Sequence, residues 1–343
     1  MPQLPHNPPE GAQRLSLDRL RRFEALGYGM FIHFGMSTFD LAELSLGDKP
    51  STHYAPDKLD VDQWISVARD AGMRYAVLTT KHVAGHCLWP SKHTDYHVGT
   101  SGNKTDVVEE FVKACERRGV KPGFYYCSYD NRHLLGSKTP SFVNWDRAYT
   151  TSEYREFQHQ QIEELLTQYG PVEVVWVDCP YMLGPDGRRK QYDQIVRLQP
   201  DAIVTMNPLM GDGITLHYDK VWPTDVMAIE RHLPSSHDGY NPWFKIVEGS
   251  RHVDAGPVSS VRDEDPPLSY FLPGEVCDPI GYDWFYNPRD HLRSDIELLG
   301  MRLITRARKA NLLLDVPPDP HGLLPKATVD ALLRLEKNYQ KVL

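Results

Sequence analysis

One pattern occurs three times in succession and constrains the fold of this chain more than any other feature: an amphipathic helix, a glycine that ends it, and a short apolar run. The first copy reads Val61 to Ala71, Gly72, then Tyr75 to Thr80. The second reads Asp106 to Arg118, with Val107, Val108, Phe111, Val112 and Cys115 at helical spacing, then Gly119 and Gly123 to Ser128. The third reads Glu153 to Tyr169, Gly170, then Val172 to Val177. A glycine just past a helix supplies the left-handed residue that closes it. The runs that follow are nearly all apolar, as strands covered on both faces of a parallel sheet are.

The pattern extends in both directions. Tyr28 to Phe34 reads as an earlier strand, Lys190 to Leu198 with Ala202 to Met206 as a further helix and strand, and Asp295 to Ala307 with Asn311 to Val316 as another pair. Strands alternating with helices imply right-handed βα units, and an α/β fold of the (β/α)8-like TIM barrel type is the economical way to close them. Residues 21–343 are expected to form that barrel, irregular in places, behind an N-terminal extension at 1–20. A doubly wound open sheet would want a glycine-rich phosphate turn after its first strand, and Gly35-Met36-Ser37 lacks the spacing. From Asn207 to Tyr286 the periodicity gives way to Pro, Gly, Asp, His and aromatic residues, the expected place for active-site loops.

Composition excludes several functions. Acidic side chains number 46 and basic ones 38, a formal net charge of −8, with no block of Lys or Arg to meet a phosphate backbone, so no nucleic-acid partner is expected. The 5 cysteines leave at least one unpaired and contain no C-x-x-C, which fits a reducing compartment. Met1 to Glu10 has no apolar signal region and no stretch of 18 apolar residues occurs, so a cytoplasmic protein without a membrane partner is expected.

In a βα barrel the chemistry gathers where strands end. The polar residues closing the apolar runs are His33, His82, Tyr126, Ser128, Asp178, Asn207 and Glu230. Asp178 follows Val174-Val175-Trp176-Val177, where a carboxylate costs desolvation unless it has partners at the strand mouth. It reads either as a helix N-cap or lysine partner, or as a catalytic acid. Glu230 repeats the arrangement after Val226 to Ile229, and two carboxylates across one barrel mouth suit glycoside hydrolysis. His33 has no second histidine two residues away, and His82 and His86 are separated by a glycine in a strand-end context, so no metal or other cofactor is expected. Each histidine also reads as a hydrogen-bonded core residue. Trp89, Tyr125, Tyr126, Trp176, Trp243 and Trp284 are among the rings that could stack on a sugar or equally fill the core.

Several segments together carry a resemblance. They are Gly29-Met30-Phe31-Ile32-His33-Phe34-Gly35, Ala71-Gly72-Met73-Arg74-Tyr75 leading to Thr80-Lys81-His82, Cys87-Leu88-Trp89-Pro90-Ser91, Gly123-Phe124-Tyr125-Tyr126, Val175-Trp176-Val177-Asp178, and Asn311 to Asp319 with Gly322. In this order, from about residue 20 to 335, they resemble the α-L-fucosidases of glycoside hydrolase family 29. The resemblance implies a retaining exo-glycosidase acting on terminal α-L-fucosides of a fucosylated glycan or oligosaccharide, with Asp178 as nucleophile. Glu230 is the expected general acid/base, followed by Glu275 and then Glu248. The resemblance places His33, Glu43, His82, Trp89, Tyr126 and Glu275 at or near the sugar. Val83 stands where many members carry a second histidine, and Cys179 where they carry glycine. The C-terminal β-sandwich of many relatives is not expected, and a homo-oligomer is compatible with the sequence. Two alternatives remain: a glycosidase for another 6-deoxy or galactose-configured sugar, and a non-catalytic carbohydrate-binding protein on the same scaffold.

Overall fold

The computed structural model describes residues 11–133, 151–208, 215–234, 242–246, 253–254 and 268–342. Eight parallel strands form its centre: β1 Tyr28–Ile32, β2 Tyr75–Lys81, β3 Lys121–Cys127, β4 Val174–Asp178, β5 Ile203–Met206, β6 Met227–Glu230, β7 Gly274–Pro279 and β8 Ala310–Asp315. They lie side by side in chain order, and β8 pairs with β1 in parallel, Tyr28 opposite Leu312 and Phe31 opposite Asp315. Only β5 and β6 lack a ladder. That seam is spanned otherwise: Asp225 N–H donates to Val204 O at 2.8 Å, its carboxylate accepts from Val204 N at 2.9 Å, and Thr224 Oγ1 accepts from Met206 N at 3.2 Å. The result is a nearly closed barrel, as the alternation of helices and apolar runs predicts.

The helices start where side chains satisfy their first N–H groups. Asp60 caps Val61–Asp70, Asp106 caps Val107–Arg118, Thr151 caps Ser152–Gln168, and Ser294 with Glu297 forms a capping box on Asp295–Ala307. Gly119 ends the second of these at φ 67°, a conformation that favours glycine. The helix expected from Lys190 begins at Gly184, because Gly184-Pro185-Asp186-Gly187 resembles a turn while Pro suits the first helical positions. Between β5 and β7 the described residues hold no long helix. They include the short helix Tyr218–Val221 and an antiparallel pair, Trp243–Ile246 with Leu268–Phe271. After β8 comes the helix Lys326–Val342.

Of the expected extension 1–20, residues 1–10 lie outside the described residues. Arg14 is fastened to the barrel by Asp225, Tyr192 and the carbonyls of Pro200 and Ala202, and Leu17–Glu24 is a helix capped by Ser16. No described helix is long and apolar enough to cross a membrane.

Strand alternation sorts the core into two bodies. Met30, Ile32, Leu78, Phe124, Tyr126, Val175, Val177 and Leu312 face the helices, whereas Phe31, Tyr75, Val77, Tyr125, Trp176, Cys277 and Leu313 fill the barrel. Successive side chains point to opposite faces of a strand, so the inward set continues upward into the residues at the C-terminal mouth.

Candidate active site

That continuation brings His33, His82, Asp178, Asn207 and Glu230 to one pocket at the strand ends. Phe31, Glu43, Leu44, Val83, Tyr125, Trp176, Cys179, Cys277 and Trp284 complete its walls. A larger groove of about 920 Å³ lies at the opposite end of the barrel, against Tyr28, Met73, Arg74 and Ala310. It faces the N-terminal ends of the strands, where residues serve stability, so the smaller pocket is the candidate for chemistry.

Asp178 and Glu230, both half-buried, are tied together by a single amide. Asn207 Nδ2 donates to Asp178 Oδ1 at 2.9 Å and to Glu230 Oε2 at 2.8 Å. Legs of 2.9 Å and 2.8 Å from one nitrogen cap the separation of those two oxygens at about 5.7 Å, their sum. Asp178 is oriented further by the Tyr125 hydroxyl, which donates to Oδ2 at 2.7 Å, and by the Cys179 N–H, which donates to Oδ1 at 3.0 Å. With its oxygens so occupied by donors, the carboxylate is held in place rather than free to rotate.

Glu230 differs from its partner. Burial and the neighbouring Asp178 carboxylate push its pKa up to about 7, against the opposing pull of Asn207 and Arg231. Two carboxyl groups thus share one cavity, one fastened by three donors and the other poised to hold a proton near neutral pH.

The histidines form a wall. His33 Nδ1 meets Asp315 Oδ1 at 2.7 Å, which leaves Nε2 as the ring nitrogen available to a ligand hydroxyl. Burial lowers the pKa of His33 to about 3 and that of His82 well below its ordinary value, so both rings are neutral at physiological pH. His82 stacks on Tyr125, with centroids 5.6 Å apart, and Tyr125 stacks on Trp176 at 5.5 Å. Trp284 covers His33 from the other side at 5.1 Å, and Arg231 lies over the Trp284 ring. Glu43 and Leu44 reach the pocket from the loop after β1, which is anchored by Asn131 Nδ2 donating to Ser45 O and Arg132 to Gly47 O.

Five of the eight residues expected from the sequence meet here: His33, Glu43, His82, Asp178 and Glu230. Three do not line this pocket. Tyr126 projects outward from β3, accepting from Lys81 Nζ and donating to Gln161 Oε1 at 2.8 Å. Trp89 is fully buried with its indole N–H on Glu164. Glu275 lies buried inside the barrel, accepting from Tyr75 OH at 2.7 Å and Trp176 Nε1 at 3.0 Å. Glu248 lies outside the described residues. Asp315 is the addition, while Asn207, Tyr125, Trp176 and Trp284, read from the sequence as a strand-end residue and as rings for sugar or core, join the site. The signal for Tyr125 over Tyr126 was strand alternation counted across from Asp178: Cys127 stands opposite Asp178 in the register, so Tyr125 shares its face.

Glu275 has a measurable consequence for stability. Burial raises its pKa to about 7, above the ordinary value, so the folded state holds a proton that the unfolded chain releases near pH 4. Its contribution to stability is therefore complete at low pH and is lost as pH rises through about 7. Urea titrations at pH 5 and pH 8 are expected to show a fall, of which Glu275→Gln removes a share on the order of 3 kcal/mol. An unchanged pH difference in that variant would contradict the buried neutral carboxyl.

Comparison with known proteins gives the family. The family model described as alpha-L-fucosidase matches residues 43–340. Alpha-L-fucosidase 1 of Arabidopsis thaliana is 28% identical over 310 residues, covering 88% of this chain and 56% of its own length. The chain spans little more than half the length of that relative and of the rice relative, of which 54% is covered. Among solved structures, alpha-L-fucosidase isoenzyme 1 from Paenibacillus thiaminolyticus superposes with a TM-score of 0.72 at 24% identity, over 94% of this chain and 76% of its own. Alpha-L-fucosidase AlfC from Lactobacillus casei, in complex with alpha-L-fucose product, gives 0.69 at 20% identity, over 95% and 99%. Both likenesses are of fold. The family match takes in every strand of the barrel but β1, and nearly all of the helix Lys326–Val342, so this protein belongs to the α-L-fucosidase family.

Proposed function

We propose that the protein hydrolyses terminal α-L-fucosides with retention of configuration, Asp178 acting as nucleophile and Glu230 as general acid/base. The observation that carries this reading is the shared Asn207 amide, because a limit of about 5.7 Å between two carboxylate oxygens suits a direct attack. Retaining pairs stand about 5–5.5 Å apart, and inverting pairs need about 6.5–9.5 Å to admit a water.

In the first step Asp178 attacks the anomeric carbon while protonated Glu230 gives its proton to the departing glycosidic oxygen, leaving a fucosyl ester on Asp178. Esterification removes the negative charge that raises the Glu230 pKa, so Glu230 becomes a stronger acid and ionises. As a carboxylate it takes a proton from water, whose oxygen attacks the same carbon and releases Asp178. His33 and His82, neutral, exchange hydrogen bonds with sugar hydroxyls, and the rings of Trp176, Tyr125 and Trp284 meet the apolar sugar face. The test is turnover of 4-nitrophenyl α-L-fucoside followed by proton NMR. Release of α-L-fucose as the first-formed anomer supports the reading, and first-formed β-L-fucose overturns it.

Val83 favours one further reading. It lines the pocket, fully apolar, beside His82. A sugar position facing it loses a hydrogen bond worth about 0.5–1.5 kcal/mol, which tilts preference toward a substrate without a hydroxyl there. A panel of aryl glycosides of 6-deoxy and galactose-configured sugars ranks these, and highest kcat/KM on a sugar other than fucose would establish it. Binding without turnover across the panel would instead identify a carbohydrate-binding protein.

A further inference from the structure

Beside the carboxylate pair lie two thiols that the glycosidase reading does not use. Cys127 and Asp178 stand opposite each other on β3 and β4, and Cys179 follows directly. The Sγ atoms of Cys127 and Cys179 and a carboxylate oxygen of Asp178 all lie within 4.8 Å of one another. Cys179 adopts the left-handed conformation, φ 53°, which L-residues other than Asn and Asp seldom take. Both thiols are free and buried, and Cys179 and Asp178 line the pocket open to solvent.

We propose that this triad is a binding site for a thiophilic divalent cation, Zn²⁺ or Cd²⁺, built into the floor of the active site. Two sulfurs and one oxygen are the donors such ions prefer, and the harder Mg²⁺ and Ca²⁺ are disfavoured by the sulfurs. With Zn–S near 2.3 Å and Zn–O near 2.1 Å, tetrahedral ligands stand roughly 3.6–3.8 Å apart, so the three atoms need close by about an ångström at most. Binding exchanges two thiol protons for the metal: the cation gains two thiolates and one carboxylate, and two protons pass to solvent. No oxidant takes part. The pocket supplies the fourth position, for water. Tyr125 and Asn207 already hold the Asp178 oxygens from outside, as groups behind a metal ligand do.

The site itself is independent of the proposed activity; its consequence rests on it. A cation on Asp178 takes the lone pairs that would attack the sugar, so the same ion silences the glycosidase and fucose competes with it.

The probe is Cd²⁺ alone, titrated into the metal-free, phosphine-reduced protein and followed by the ultraviolet thiolate-to-cadmium charge-transfer band. One equivalent is expected to saturate the band. Cys127→Ser and Cys179→Gly are each expected to weaken it by ~100-fold or more in Cd²⁺ concentration, while Cys115→Ser, whose thiol packs in a helix of the outer core, leaves it intact. Glycine suits φ 53°, so Cys179→Gly keeps the turn. In parallel, Zn²⁺ is expected to inhibit fucoside turnover competitively, with chelator restoring the rate, and Cys179→Gly measured against its own zinc-free rate is expected to resist it. A band that is absent, or unchanged in both cysteine variants, overturns the proposal. A protein that binds Cd²⁺ through these cysteines yet turns over no fucoside keeps the site and refutes the proposed activity instead.

Discussion

Asp178→Ala lowers kcat on 4-nitrophenyl α-L-fucoside by ~10³-fold or more, the scale on which loss of a nucleophile abolishes a covalent route. The loss is expected to fall on kcat, because the histidines and rings that bind the sugar remain. Asp178 accepts hydrogen bonds from Tyr125, Asn207 and Cys179, so alanine leaves three donors facing a small cavity. That vacancy is the basis of a rescue. Azide entering it attacks the anomeric carbon from the side Asp178 occupied and is expected to yield the β-fucosyl azide. A variant with near-normal turnover, or rescue giving only the α-azide, would remove Asp178 from the nucleophile role.

Glu230 gives the second large effect, and its signature lies in the leaving group and the pH profile. Glu230→Ala is expected to lose ~10²- to 10⁴-fold on natural-type fucosides with alcohol leaving groups, and far less on 4-nitrophenyl fucoside, whose leaving group departs without a proton. With a pKa of about 7 in the free protein, Glu230 is protonated below that pH and ionised above it. As an acid it works only in the protonated form. For substrates that need protonation, kcat/KM is therefore expected to decline as pH rises through about 7, and Glu230→Gln is expected to abolish that limb. Equal losses on both substrate types would move the acid role to another carboxylate.

The barrel was legible because its strands are buried on both faces: Val174 to Val177 and Leu312 to Leu314 read as continuous apolar runs, and glycines such as Gly119 mark where the preceding helices stop. The closing helix Lys326–Val342 went unread, although Leu332, Leu335 and Tyr339 are its buried residues at helical spacing. Asp178 and Glu230 stood out for the same reason, each an acid ending an apolar run. Asn207 ended a run too, yet its part is set by two oxygens 29 and 23 residues away, and separation of that kind leaves no local trace. Tyr126 and Tyr125 are adjacent and chemically alike; only the face each presents distinguishes them, and that depends on register with β4. Glu275 shows the converse. The resemblance put this carboxyl at or near the sugar, but Tyr75 and Trp176 already take both its oxygens inside the barrel.

The unlaced boundary between β5 and β6 has a bearing on how such a site changes over evolutionary time. Asp178 and Asn207 stand on one bank of it and Glu230 on the other, joined overhead by a lone amide and underfoot by Asp225 and Thr224. Across every other strand junction, the distance between neighbours is dictated by main-chain geometry common to all sheets. Here one main-chain bond, Asp225 N–H to Val204 O, is supplemented by side chains, so point substitutions at two or three codons can widen or narrow the gulf between the acids while the remaining ladders stay as they are.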